Sequence, residues 1–196
     1  PKRKDKKKII IDLLQRHQIV IDTSKLFTDV VVGFKARLTA TEIEKLNIDP
    51  IVEEVYPDFE IRLRNPMQQS EIITSRNPMQ QDWDFTDETR GITCAVNTTG
   101  GPVDASEKTT VVWVLDTGVQ PDHPDLNVES DPELAVSFVP FETGDENGHG
   151  THVAGIIGAY ENELGATGVS AGARIIPVKV MEHSGNGRWS YLLSGL

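Results

Sequence analysis

The chain has 196 residues, of which 38% are hydrophobic and 25% charged, and a formal net charge of −11. That length suits one or two domains. A single cysteine, Cys94, excludes an internal disulfide and a multi-cysteine metal site, and no apolar run reaches the roughly 18 residues that a membrane-spanning helix needs.

Charge is divided unevenly along the chain. Residues 1–64 hold 13 Lys and Arg against 11 Asp and Glu, whereas residues 65–196 hold 6 against 19. Such a break suggests two units with different roles. The acidic second part argues against nucleic acid as a partner, because phosphate binding needs clustered Lys and Arg. It is compatible with bound cations, although plain solubility accounts for it without them. The chain opens Pro1-Lys2-Arg3-Lys4, with neither Met nor an apolar signal core, and closes Ser194-Gly195-Leu196, so both ends read as cut.

Taken in order, Ile9, Ile10, Leu13, Leu14 and His17 recur at helical spacing and predict an amphipathic helix over 6–17, with Lys6-Lys7-Lys8 as its solvated end. A short strand is expected at 19–21. Val30, Val32, Phe34, Ala36 and Leu38 alternate with polar partners Lys35 and Arg37, which predicts a half-buried strand. Thr39 and Glu42 have capping-box spacing, Ala40, Ile43 and Leu46 give the short helix an apolar face, and Asp49-Pro50 ends it. Residues 51–63 are extended again. The order helix, strand, strand, helix, strand lacks one leading strand of a ferredoxin-like βαββαβ unit.

Arg64-Asn65-Pro66-Met67-Gln68-Gln69 then recurs as Arg76-Asn77-Pro78-Met79-Gln80-Gln81. Two copies at so short a period do not make a solenoid, and the polar, Pro-containing segment 64–82 reads as a linker. Residues 82–108 predict loops with one short helix. From Thr109 onward strands (109–115, near 135–139, 175–181) alternate with helices (149–160 and from about Ser190), the pattern of a mostly parallel sheet covered by helices.

Two stretches carry chemistry. The run Thr109-Thr110-Val111-Val112-Trp113-Val114-Leu115 stops at Asp116-Thr117-Gly118, placing an acid at the end of a buried strand. Glu146-Asn147-Gly148-His149-Gly150-Thr151-His152-Val153-Ala154-Gly155 places a histidine where a glycine loop becomes a helix. Neutral imidazole is a general base near working pH, and a carboxylate can fix its tautomer and stabilise the imidazolium that forms. His152 completes a His-x-x-His, but the Glu of a His-Glu-x-x-His zinc motif is missing, so it reads as structural.

The two stretches resemble the Asp and His motifs of subtilisin-like serine proteases (subtilases), in that family's chain order. The resemblance implies an Asp116–His149–Ser triad. Residues 31–38 and 49–55 resemble the propeptide that precedes many subtilases, which implies a folding chaperone and active-site inhibitor. The expected organisation is a propeptide-like domain over 1–63, its first strand missing, a processing linker over 64–82, and the N-terminal part of an α/β subtilisin-like catalytic domain over 83–196. The family's Gly-Thr-Ser motif is not found in the 47 residues after His149, so a fragment without the nucleophile and the oxyanion Asn is expected.

By the same resemblance, Gly185, Gly187 and Trp189 border the substrate cleft. Asp125 and Asn162 side chains, with carbonyls of Tyr160, Leu164 and Ala166, match a structural Ca²⁺ site; such an all-oxygen set suits that ion. No cofactor is expected for catalysis. Peptide substrates and the chain's own propeptide are the expected partners, without nucleic acid or membrane, and secretion is the expected location. Two other readings stay open: a propeptide-like inhibitor or binding module with a non-catalytic remnant, and a pseudo-protease that binds calcium or peptides.

Overall fold

The computed structural model describes residues 3–22, 25–63, 85–87 and 91–196. The expected linker at 64–82, with its repeat, lies outside the described residues. Contacts divide the chain into two units, Pro1–Ile61 with Arg188–Leu196, and Arg62–Gly187.

In the first unit, α1 (Arg3–Arg16) buries Ile10, Leu13 and Leu14 along one stripe. α2 (Ala40–Asn47) starts at the anticipated capping box: the Thr39 hydroxyl accepts from the Glu42 N–H, and the Glu42 carboxylate accepts from the Thr39 N–H. Leu46 from α2 meets the α1 stripe and Ile19 in one core, with Phe34, Ala36, Leu38, Val52 and Val55 packed against it. Each fully buried aliphatic side chain of this kind contributes about 1.5–3 kcal/mol.

The strand expected over 30–38 is reduced to β2 (Gly33–Phe34), paired antiparallel with β1 (Leu26–Phe27). Residues 19–21 form no strand, and within 51–63 only β3 (Glu60–Arg62) is one. The alternation was a signal of burial: Phe34, Ala36 and Leu38 do face the core, but beyond Phe34 the backbone has no partner strand and makes no ladder. Val30 and Val32 stay 59% and 49% exposed.

A polar clamp ties the ends of the two helices. The buried Asp49 carboxylate accepts from Arg16 Nη1 and meets His17 Nε2, each at 2.8 Å. The His17 bond first, then the Ile51 N–H and Arg16, hold its pKa down to about 2 from an ordinary 3.8. A depressed carboxylate stabilises the fold above its unfolded pKa and loses that contribution as pH falls through the folded one. The melting temperature of Asp49→Asn should therefore lie below that of the unsubstituted chain near neutrality, and the gap should close between about pH 4 and pH 2. A gap that persists at the acid end would reject the clamp.

The last helix, α5 (Trp189–Gly195), also belongs to this unit. Asp58 accepts from the Ser190 N–H and hydroxyl and pairs with Lys35 Nζ at 2.7 Å. Burial opposes its ionisation, but these donors prevail and keep its pKa low.

The second unit opens with β4 (Phe85–Asp87) and β5 (Ile92–Thr93), paired antiparallel, followed by α3 (Cys94–Thr98). Its main sheet centres on a strand from late in the chain, β9 (Arg174–Lys179). β6 (Val111–Asp116) lies parallel to it in a register that sets Asp116 opposite Lys179. β7 (Asn127–Val128) and β8 (Val136–Ser137) pair with β9 as well, both parallel. α4 (His149–Gly158) packs on the sheet through Ala154, with Val114, Val119, Leu126, Ala159 and Ile175 completing the core. β10 (Asn186–Arg188) ends the loop after β9. Among the described residues no helix is long and apolar enough to cross a membrane.

Candidate active site

Asp116 is the last residue of β6 and is only 8% exposed. Its backbone carbonyl accepts from the Val180 and Met181 N–H groups, and its Oδ1 accepts from the Thr117 N–H at 2.7 Å. Strand, turn and carboxylate are thereby held as one piece.

His149 opens α4. Gly148 before it adopts φ +92°, the left-handed region that a side chain would resist, and supplies no cap of its own. The capping falls to Asp145, which accepts from the N–H groups of Asn147, Gly148 and Thr151 and from the hydroxyls of Thr117 and Thr151. Burial pushes the Asp145 pKa up, but the Thr151 hydroxyl and N–H, the Gly148 N–H and the Thr117 hydroxyl outweigh it and the net shift is downward. An ionised carboxylate here also complements the positive end of the helix.

Gly150, next in the helix, is where backbone meets backbone: a Cβ there would stand 2.0 Å from the Gly118 carbonyl oxygen. That approach lets the Gly150 N–H donate to Thr117 Oγ1 and brings the imidazole onto the acid. His149 Nδ1 lies 2.8 Å from Asp116 Oδ1 and 2.9 Å from Oδ2. A carboxylate only accepts, so Nδ1 carries the proton and Nε2 presents its lone pair. The arrangement can accept a proton at Nε2 while the resulting imidazolium stays paired.

Sequence reasoning missed two members of this site. Asp145 was passed over as loop, although an acid four residues before His149 and six before Thr151 has the reach to cap the helix. Lys179 falls in the strand expected over 175–181, with no role expected of its side chain. A lysine inside Val-Lys-Val must find partners, and it does: Nζ donates to the Thr117 carbonyl at 2.6 Å and pairs with Glu142 at 3.1 Å.

The other anticipated residues divide. Gly185 and Gly187 lie on the turn after β9, closed by an antiparallel bridge between Met181 and Gly187. The Gly185 carbonyl accepts from the Leu63 N–H at 2.8 Å. Trp189 falls in the first unit, half exposed, its N–H donating to the Phe59 carbonyl. Three of the described serine hydroxyls after His149 are engaged elsewhere: Ser184 accepts from Asn186, Ser190 donates to Asp58, and Ser194 donates to the Ser190 carbonyl.

Asp125 is buried, and its Oδ1 accepts from Asn162 Nδ2 at 2.7 Å. The Tyr160 N–H reaches the Asp125 carbonyl, and Asn162 Oδ1 accepts from the Leu164 N–H. These four residues therefore do come together, with Ala166 exposed on the same loop.

The family model described as the subtilase family matches residues 107–194, and the one described as peptidase inhibitor I9 matches residues 22–64. Residues 107–194 are thus a segment of subtilase type, preceded by one of inhibitor I9 type. The chain is 49% identical over 87 residues to subtilisin Savinase of Lederbergia lenta, an overlap of 43% of this chain and 30% of that protein. It is 43% identical over 88 residues to subtilisin E of Bacillus subtilis (strain 168), covering 43% of this chain and 22% of that protein. An alkaline protease of Shouchella clausii is 49% identical over 87 residues, with 43% and 22% covered. The chain spans less than a third of the length of these relatives, and the inhibitor I9 match lies ahead of the subtilase match.

Proposed function

We propose that the complete protein is a serine endopeptidase in which Asp116 and His149 are two members of an Asp-His-Ser triad, the serine lying outside residues 1–196. The observation that carries this reading is the His149 Nδ1 contact with the Asp116 carboxylate. His149 Nε2 would take the serine hydroxyl proton as that oxygen attacks the peptide carbonyl. It would return the proton to the leaving amine, while Asp116 holds the ring and stabilises the imidazolium. Peptides and proteins are the substrates.

The I9 domain would act as the chain's own inhibitor, released by cleavage between 64 and 82. The Leu63 bond to the Gly185 carbonyl supports this, because it is the main-chain contact that an extended peptide makes on adding to an edge. Gly185 and Gly187 would border the substrate cleft, and Trp189 would wall an apolar subsite. Secretion of the complete protein is part of the same proposal. The complete protein should be labelled by a serine-directed fluorophosphonate and lose its peptidase activity in proportion; full activity after stoichiometric labelling would reject the assignment.

A structural Ca²⁺ at Asp125 is part of the same proposal. One carboxylate, one amide oxygen and backbone carbonyls from Tyr160, Leu164 and Ala166 form an all-oxygen donor set of the type that suits this ion. The buried Asp125 carboxylate, with Asn162 alongside, fits it. The ion would brace the loop after α4 and take no part in proton transfer. At about 100 times Kd it would add about 2.7 kcal/mol to stability. Asp125→Ala should abolish the Ca²⁺-dependent rise in melting temperature, and equal melting in EDTA and in excess Ca²⁺ would exclude the site.

A further inference from the structure

Lys179 belongs to a group of charges that the catalytic pair does not use. Its side chain is 1% exposed, and an ammonium in that position needs close partners of opposite charge. Besides the Thr117 carbonyl, Nζ lies 3.1 Å from Glu142 Oε2 and 3.6 Å from Glu146 Oε2. Glu142 in turn grips the turn after β9. Its Oε2 accepts the His183 N–H and its Oε1 meets His183 Nδ1, each at 2.8 Å. Asn147 links this turn to the loop before α4: its Nδ2 donates to the His183 carbonyl at 2.8 Å, and its Oδ1 accepts the His149 N–H at 3.3 Å.

A continuous path of polar contacts therefore runs from Thr117, beside Asp116, through Lys179, Glu142, His183 and Asn147 to His149. The charges along it do not balance when His183 is neutral. One ammonium faces two carboxylates, and a proton on His183 supplies the missing positive charge. Glu182, its chain neighbour, adds to the negative field.

We propose that His183 is a positioning residue: clasped by Glu142, it fixes the Gly185–Gly187 edge against the loop that carries His149, and its protonation tightens the clasp. The function of that edge in peptide binding rests on the reading above; the clasp itself does not. The hydrogen bond to Glu142 is the main cause that raises the His183 pKa above an ordinary 6.5, followed by the charges of Glu142, Glu146 and Glu182. Burial pushes Glu142 the other way, but its bonds to His183 and Lys179 keep its pKa low. A raised histidine contributes fully below its unfolded pKa and loses that contribution as pH rises through the folded one. The His183 side chain is 66% exposed, so solvent screens the pair and the effect falls on local order of the turn.

The test uses the 196-residue chain and needs no turnover. In an NMR titration of its five histidines, His183 should titrate above an ordinary histidine, and Glu142→Gln should move it back toward that value. Amide exchange at Glu182 and Gly185, corrected for the intrinsic rate, should be several-fold slower at about pH 6 than at about pH 8. Their N–H groups close the turn onto Asn186 and Glu182 carbonyls. In His183→Ala the protection should be low at both values. That variant alters an exposed side chain, so it decides the matter even if Glu142→Gln does not fold. A His183 titration unmoved by Glu142→Gln, or equal wild-type protection at both pH values, would overturn the proposal. Failure of the serine-labelling experiment would remove the peptide-edge role and leave the clasp standing.

Discussion

Replacing His149 by alanine in the complete protein should lower kcat by about a thousandfold or more, and Asp116→Asn should cost about as much. That scale is the one known for triad lesions in subtilisin and trypsin themselves; the geometry here explains why it applies. Without the imidazole nothing accepts the serine proton. The asparagine lesion works differently. An amide can turn its NH₂ toward Nδ1, which would place the imidazole proton on Nε2 and block the base. The present contacts of 2.8 and 2.9 Å from Nδ1 to the two carboxylate oxygens allow only the productive tautomer. Steady-state kinetics on the purified variants decide the matter, and wild-type turnover in either one would remove both residues from the triad.

Gly150→Ala should unseat α4 in the 196-residue chain, whereas Gly155→Ala, in the same helix, should be neutral or stabilising. At Gly150 the added methyl would lie 2.0 Å from the Gly118 carbonyl oxygen and 3.1 Å from Asp116 Cβ. Backbone cannot rotate aside as a long side chain can, so helix and turn must separate. The cost should reach the upper end of overpacking penalties, about 3 kcal/mol, with loss of the Gly150 bond to Thr117 and of the His149–Asp116 contact. At Gly155 an added Cβ meets nothing within 4 Å. There the helix gains the alanine preference over glycine, about 1 kcal/mol. Thermal melts of the two variants, with His149 followed by NMR, separate the outcomes. Equal stability would mean that the close approach is not needed to hold the helix.

Much of this arrangement was legible in the residues. The apolar run ending at Asp116 and the small-residue helix opening at His149 announced a strand and a helix, and the structure has β6 and α4 there. The capping box at Thr39 and Glu42 was local chemistry complete within four residues, and it appears as written. The strands at 30–38 and 51–63 were less secure because a ladder needs a partner that no single segment specifies. Phe34, Ala36, Leu38, Val52 and Val55 went into the core, while most of the backbone there stayed outside any ladder. Val30 and Val32, in the same alternating run, stayed in solvent.

The sequence by itself determined the two chemical groups and the order of their elements, since the Asp and His motifs each lie within a dozen residues and carry their own strand end and helix start. It also determined that β9 would be buried, from its hydrophobic run. Only the tertiary structure decided that the carboxylate and the imidazole meet, because 33 residues separate them and their approach depends on a glycine with no side chain to signal it. Tertiary structure alone also decided what Asp145, Lys179 and His183 do. Each is a charged or titratable side chain whose role depends on partners brought from other segments: Thr117 and Thr151 for the first, Thr117 and Glu142 for the second, Glu142 for the third. Local sequence records that a charge is present; the free energy of holding it in place is set by which opposite charges and donors the fold delivers to it.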